Sequence, residues 1–413
     1  MHRFKYKHNA LFCEDVSVAE IAEHVGTPLY IYSKNTLIDH YRKIENALRE
    51  IAPLICFSVK SNSNLSVLRA LVAAGAGLDI VSGGELYRAK CAKASPRKIV
   101  YAGVGKKKDE ILEAIRYGIL FFNIESQEEL ELINRCAGTL RKKVNVAVRI
   151  NPDVGASTHS YITTGKSHTK FGVDFDTAKK IFRLSWKYRN TRMNGVHVHV
   201  GSQILNSRPF EKAVRKVLVF LKENEIFIEY LNIGGGLGIV YSFEKPQTAA
   251  SFAMRVLPLI KKTGLKLIVE PGRFISGNSG IMVTKVLYRK KTAGKNFAIV
   301  DSGMNDLIRP SLYEAHHTIV PVRKSKKSAK IKYDIVGPIC ETGDFLAKGR
   351  SLPSLRQGEL LAIMGAGAYG YTMSSNYNSR CRAAEVMVDG AKFFVVKMRE
   401  TYKNLVRGET GRN

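Results

Sequence analysis

The sequence predicts an α/β protein: a TIM-like (β/α)8 barrel with a separate all-β domain, barrel- or sandwich-like. Two observations carry this. Across the middle of the chain, eight short β-rich runs alternate with segments whose apolar residues recur every three or four positions. After about residue 281, strand-like runs follow one another without long helices between them.

The eight runs lie at 54–59 (LICFSV), 78–81, 98–102 (KIVYA), 119–124 (ILFFNI), 144–150 (VNVAVRI), 195–200 (GVHVHV), 228–233 and 266–270 (KLIVE). Between them come helical spacings such as Leu65-Leu68-Leu71-Val72, Ile111-Leu112-Ile115 and Leu130-Leu132-Ile133. Further helical segments fall near 176–189, 209–224 and 249–262, and one at 37–50 precedes the first strand. Strict alternation favours a closed parallel barrel over an open sheet. The later runs are 281–288, 296–301, 317–322, 331–336, 359–364 and 383–397, punctuated by Gly294, Gly358 and Asp389-Gly390. The first 35 residues, with LYIYS at 29–33, fit neither the barrel count nor a linker and are assigned to the β domain. The expected domains are therefore 36–280 (barrel) and 1–35 with 281–413 (β domain). The charged loop RKSKKSAK at 323–330 is expected to be mobile.

The chain has 413 residues, 45% apolar and 24% charged, the balance of a globular protein with a sizeable core. No run approaches the roughly 20 apolar residues of a bilayer span, so no membrane partner is expected. The opening MHRFKYKHNALFCEDVS has no apolar stretch after its basic start, so a cytoplasmic location is expected. Cys13, Cys56, Cys91, Cys136, Cys340 and Cys381 are scattered without a CxxC pair, which argues against a disulfide framework or zinc site. The net charge of +29 raises a nucleic-acid partner. The densest basic runs, Lys106–Lys108, Arg289–Lys291 and Arg323–Lys330, lack interleaved aromatics, and a solvated basic surface explains them better.

In such barrels the site lies at the carboxyl ends of the strands. There the sequence places Lys60, Asp79, Arg149, His199, Gly234-Gly235-Gly236 and Glu270-Pro271-Gly272-Arg273. A lysine desolvated in a barrel mouth is suited to imine chemistry, although Lys60 alone also reads as a surface residue. Glycines after strands seven and eight suit a phosphate, although one of them alone reads as a tight turn. Glu270 can face a pyridine nitrogen or pair with Arg273. His197 and His199 share a strand face and could hold a metal, but no further ligand set accompanies them, so no metal is expected.

Together these residues resemble the diaminopimelate decarboxylases, within the alanine-racemase-like, fold type III enzymes that use pyridoxal 5′-phosphate (PLP). The resemblance runs from LYIYS to RETY at 399–402. It includes FSVKSN (57–62), SGGELYRA (82–89), HVGSQ (199–203), GGGLG (234–238), EPGR (270–273), GMNDLIRPSLY (303–313), CETGD (340–344) and GAYGYTMSSNYNSR (367–380). Ser58 and Ser61 stand where the family usually has alanines, and neither change removes a functional group.

The resemblance implies that Lys60 is the Schiff-base lysine, that His199 stacks on the cofactor ring and that Glu270 holds its nitrogen. It puts Ser202, Gly234, Gly235, Gly236, Gly272 and Arg273 at the phosphate end, with Arg273 also near substrate. Asp79 and Arg149 support these. Arg309 and Tyr313 resemble substrate-carboxylate ligands, Tyr369 contacts cofactor and substrate, Cys340 resembles the proton donor and Glu341 the ligand of the distal amine. In the family Cys340 and Glu341 reach the partner subunit's site, which implies a homodimer with shared active sites. Arg309 with Glu341 favours meso-diaminopimelate over a diamine-forming reaction, since a second carboxylate needs a cation. A non-catalytic relative is disfavoured by the retained Lys60, His199, Glu270 and Cys340.

Overall fold

The computed structural model describes residues 2–155, 170–325 and 329–411. Part of the charged loop, 326–328, therefore lies outside the described residues. Backbone contacts divide the chain into a unit of 1–37, 240–244 and 276–413 and a unit of 38–239 and 245–275.

The first unit begins with β1 (Phe4–Lys7), β2 (Ala10–Cys13) and β3 (Val16–Ser17), an antiparallel three-stranded sheet. Helix α1 (Val18–Val25) leads into β4 (Leu29–Ser33). Every residue of β4 is buried, which suits the run Leu29–Tyr32 that makes up most of it.

The second unit is a closed barrel of eight parallel strands. They are β5 (Leu54–Ser58), β6 (Gly77–Ile80), β7 (Ile99–Tyr101), β8 (Phe121–Ile124), β9 (Val144–Arg149), β10 (Thr191–His197), β11 (Tyr230–Asn232) and β12 (Lys266–Val269). Helix α2 (Lys34–Leu48) precedes β5. Then α3 (Leu65–Ala73), α4 (Gly83–Cys91), α5 (Lys108–Tyr117), α6 (Gln127–Thr139), α7 (Phe175–Arg183), α8 (Arg208–Glu223) and α9 (Ala249–Ile260) fall between successive strands. Asn64, Ser82, Ser126, Asp174 and Thr248 each accept a backbone N–H of the helix they open, which fixes where five of these helices start. The sequence expectation named no helix at Gly83–Cys91, because two glycines open it and weaken its helical signal. Inside the barrel Cys56, Val100, Phe121, Ala147 and Ile268 fill the core.

After the short α10 (Arg273–Ser276) come β13 (Gly280–Thr292), β14 (Lys295–Val300), α11 (Arg309–Tyr313), β15 (Ile319–Pro321), β16 (Lys330–Val336), β17 (Phe345–Pro353), β18 (Leu360–Ile363), β19 (Ala384–Asp389), β20 (Lys392–Lys397) and α12 (Tyr402–Leu405). With β4 these strands form one branched nine-stranded sheet, with β4 between β13 and β19. The β unit is thus mostly, not wholly, β. Its apolar side packs Leu29, Ile31, Ile281, Val283, Val386 and Val388 with the β1–β3 sheet and α1. Strand β17 was not anticipated. Lys348, Gly349 and Arg350 interrupt its apolar pattern, and its pairing with β16 is bulged. Among the described residues no helix is long and apolar enough to cross a membrane.

Candidate active site

Lys60 sits in the turn that follows β5, where its Nζ donates to Asp79 Oδ2 at 3.0 Å. Asp79 is fully buried on β6 and also accepts from Ser58 Oγ. Burial, and then the nearby charge of Glu270, raise the Asp79 carboxyl above its ordinary value.

Glu270, 3% exposed, follows β12. Its Oε1 accepts from Asn232 Nδ2 at 2.6 Å and from Asn123 Nδ2 at 3.2 Å. Its Oε2 lies 3.3 Å from His197 Nε2. Burial alone would raise this acid, but His197, Lys60 and the Asn232 amide outweigh burial and hold it below the usual carboxylate range. The two acids facing Lys60 are thereby pushed apart: Glu270 toward the anion, Asp79 toward the protonated form.

His199 follows β10, and its Nδ1 accepts from the Gly235 N–H at 3.2 Å. An Nδ1 that accepts leaves the ring proton on Nε2. Desolvation, with Arg149 and Lys60 close by, pushes the imidazole well below its ordinary value, so the ring is neutral. Arg149 donates to buried Glu125 at 2.8 Å. Against the upward pull of burial, Arg149 holds that carboxyl low.

The glycines lie where no side chain fits. A Cβ on Gly235 would strike the Glu270 carbonyl oxygen, and one on Gly236 would strike the Gly201 carbonyl oxygen. Gly234 and Gly236 also take positive φ of 66° and 111°. A Cβ on Gly272 would stand 2.9 Å from Ser58 Cβ and 3.0 Å from Ser61 Cβ. Arg273 donates to Ser202 Oγ from Nε at 3.3 Å and from Nη2 at 3.0 Å. The barrel mouth therefore offers an amine, an anionic carboxylate, a neutral imidazole and a bare glycine backbone beside a guanidinium. These are the groups that an aldehyde, a pyridine nitrogen, an aromatic ring and a phosphate require, so this donor set fits PLP.

The remaining predicted residues belong to the β unit. Arg309, 5% exposed, opens α11 and donates from Nη1 to His317 Nε2 at 2.7 Å. Since arginine only donates, His317 is neutral there, and its Nδ1–H is given to the Met364 carbonyl at 2.8 Å. The Tyr241 ring lies 4.6 Å from the Arg309 guanidinium carbon. Tyr313 ends α11. Ser311 Oγ donates to the Gly343 carbonyl at 2.6 Å, which ties that helix to the loop carrying Cys340 and Glu341. Both loop residues are exposed. Buried Asp344 accepts from Ile339 N–H (2.7 Å) and Met304 N–H (2.6 Å) and anchors the loop's ends. Asn378 Oδ1 accepts the Cys340 N–H at 2.8 Å, and Tyr377 O–H donates to Glu341 Oε2 at 2.8 Å. Tyr369 takes φ of 57°, a strained conformation for a non-glycine residue.

Sequence reasoning did not assign Asn123, Asn232, Glu125, His317 or Tyr241. Asn232 stands two residues before the glycine run and Asn123 on the carboxyl half of β8, so strand-end position was the one available signal. Among the described residues no three His, Cys, Asp or Glu side chains gather as a metal group.

The pyridoxal-binding domain model of the pyridoxal-dependent decarboxylases matches residues 34–277. This defines the class as a PLP-dependent decarboxylase. A diaminopimelate decarboxylase of Aquifex aeolicus is 47% identical over 97% of this chain and 96% of the relative. The Helicobacter pylori enzyme of that name, solved with L-lysine, superposes with a TM-score of 0.90 at 39% identity, covering 94% of this chain and 98% of the other. The M. jannaschii enzyme, also solved with L-lysine, gives 0.94 at 36% identity over 99% and 98%. The chain belongs to the diaminopimelate decarboxylase family.

Proposed function

We propose that this chain removes one carboxylate from meso-2,6-diaminopimelate to give L-lysine and CO2, the last step of lysine biosynthesis, in the cytoplasm. The observation that carries this reading is the convergence of Lys60, Asp79, His199 and Glu270 at one barrel mouth, in a chain similar to diaminopimelate decarboxylases over nearly its full length. PLP bound here would supply an aldehyde for the substrate's α-amine and a ring able to take up the electron pair left by departing CO2.

The chain's own residues prepare this. Lys60 Nζ would hold the aldehyde end of the cofactor, and Asp79, whose raised pKa suits proton uptake, lies within reach to take a proton from that amine. Glu270, held anionic by three neighbours, would keep the ring nitrogen protonated. Neutral His199 would face the ring without adding a competing charge. Gly234–Gly236, Gly272, Ser202 and Arg273 take the phosphate, and Arg149 braces the mouth through Glu125. Arg309 and Tyr313 receive the distal carboxylate, Glu341 the distal ammonium, and Tyr369 both cofactor and substrate. Cys340 Sγ returns a proton to the carbon that has lost CO2. Cys340 and Glu341 act in the partner subunit's site, which makes the working form a homodimer.

The test is purified enzyme supplied with PLP and assayed for lysine release from meso-diaminopimelate. Lysine formation with stoichiometric CO2 supports the reading. Turnover of ornithine or arginine in preference would replace it with a diamine-forming decarboxylase.

A further inference from the structure

One buried titratable group at the barrel mouth enters the reading above only as one of the neighbours that hold Glu270 anionic. His197 ends β10, two residues before His199, and is 1% exposed. Its Nε2 approaches Glu270 Oε2 to 3.3 Å, off the line of a full hydrogen bond, and neither ring nitrogen has a well-aligned partner among the described residues. Burying an imidazole with its hydrogen-bonding capacity unspent is costly, and Oε2 is the acceptor within reach.

The distribution of donors on Glu270 shows what that contact adds. Both amide donors, Asn232 and Asn123, fall on Oε1. Donors on a single oxygen leave the carboxylate free to rock, because the terminal torsion of glutamate is broad. A donor on Oε2 fixes the plane of the group and stabilises its charge from the second side.

We propose that His197 is a positioning residue that acts through Glu270: its Nε2–H holds Oε2, so that the carboxylate stays ionised and coplanar with the pyridine nitrogen it faces. This rests on reading Glu270 as the partner of that nitrogen. No bond is made or broken by His197 itself.

The experiment uses holoenzyme reconstituted with PLP labelled with nitrogen-15 at the ring position. The ring-nitrogen chemical shift reports protonation directly. In His197→Phe the resonance moves toward that of an unprotonated pyridine. Removing a hydrogen bond to a charged group lowers kcat about tenfold to hundredfold, with KM within about threefold. His197→Gln, whose amide N–H reaches the same region, recovers most of both. If the phenylalanine variant does not fold, His197→Asn, too short to reach Oε2, takes its place with the same expectation. Glu270→Gln is the control. A resonance unmoved in Glu270→Gln would overturn the assignment of Glu270 itself. A resonance that moves in Glu270→Gln yet stays at the wild-type position in the folded His197 variants, with wild-type kcat, would overturn the role of His197 alone.

Discussion

The barrel mouth and the Cys340–Asp344 loop treat charge in opposite ways. At the mouth, Asp79, Glu270 and Arg149 are 0%, 3% and 6% exposed, and each has a named partner of opposite charge or a hydrogen-bond donor. In the loop, Cys340 and Glu341 are exposed, and the Glu341 contact is a tyrosine hydroxyl that is itself at the surface. Burial raises both acids of the mouth, and the neighbours of Glu270 reverse this for Glu270 alone, so the two are set apart before any ligand arrives. Under the function proposed above, the exposed Cys340 and Glu341 take up their roles where a second subunit encloses them.

The largest effect expected is at the mouth. Lys60→Ala should lose decarboxylation entirely, together with the visible absorbance of lysine-bound cofactor. Borohydride reduction followed by peptide mapping checks it. Cofactor found on any other lysine would break the assignment.

Next comes Arg309→Met, which probes a buried charge on the β unit. Truncating one partner of a buried charged hydrogen bond costs about 2–5 kcal/mol, so KM for diaminopimelate should rise about thirtyfold or more. PLP affinity should change little. Stability should also fall by about 1–3 kcal/mol, because His317 Nε2 loses its donor in a fully buried position. Equal losses of cofactor and substrate affinity would place Arg309 with the cofactor instead.

A matched pair of glycine changes sharpens the contrast between the two regions. Gly235→Ala drives a methyl into the backbone of Glu270, which cannot rotate away, and should cost about 1–3 kcal/mol in stability with weaker PLP binding. Gly343→Ala, in the Cys340 loop, meets only the flexible Glu341 side chain at 3.0 Å and should stay within about 0.5 kcal/mol in the isolated chain. Thermal unfolding with and without PLP measures both. A large loss from Gly343→Ala that vanishes on dilution to monomers would show the loop packed against a partner.

The contrast also explains what was legible in the sequence. Barrel strands announce themselves because burial on both faces demands continuous apolar runs, as in β7 and in Leu267–Val269 of β12. Lys60, Asp79 and Glu270 were readable because a barrel puts its chemistry where such runs end. Their partners were not. Asn123 meets Glu270 across 147 residues of chain, and nothing local marks an asparagine as inward-facing and committed. The run GVHVHV suggested a strand at 195–200, whereas β10 spans Thr191–His197. Polar Thr191, Arg192 and Asn194 hid its start, since ladder pairing of Thr191–Met193 with β9 and not side-chain character puts this stretch in the barrel. In the β unit β17 was harder still, because it carries charges on a bulged strand.

The smallest change in activity, and the one that bears most directly on the contrast, comes from mixing two dead enzymes. Lys60→Ala removes a group of the barrel unit and Cys340→Ala a group of the β unit, and each alone should be inactive. If Cys340 serves the partner's site, a mixed dimer has one site damaged twice and one left whole. Random reassociation of two protomers puts about half the dimers in the mixed class, and each has one of its two sites intact, so about a quarter of wild-type activity should return. The activity should rise with the square law of mixing and peak at equal amounts of the two variants. If each site is built within one chain, every site in the mixture lacks either its lysine or its cysteine. The mixture then stays as inactive as its parents at any ratio. A recovered quarter would make the exposed loop the functional complement of the buried mouth, and a flat result would require the loop to find its enclosure within its own chain.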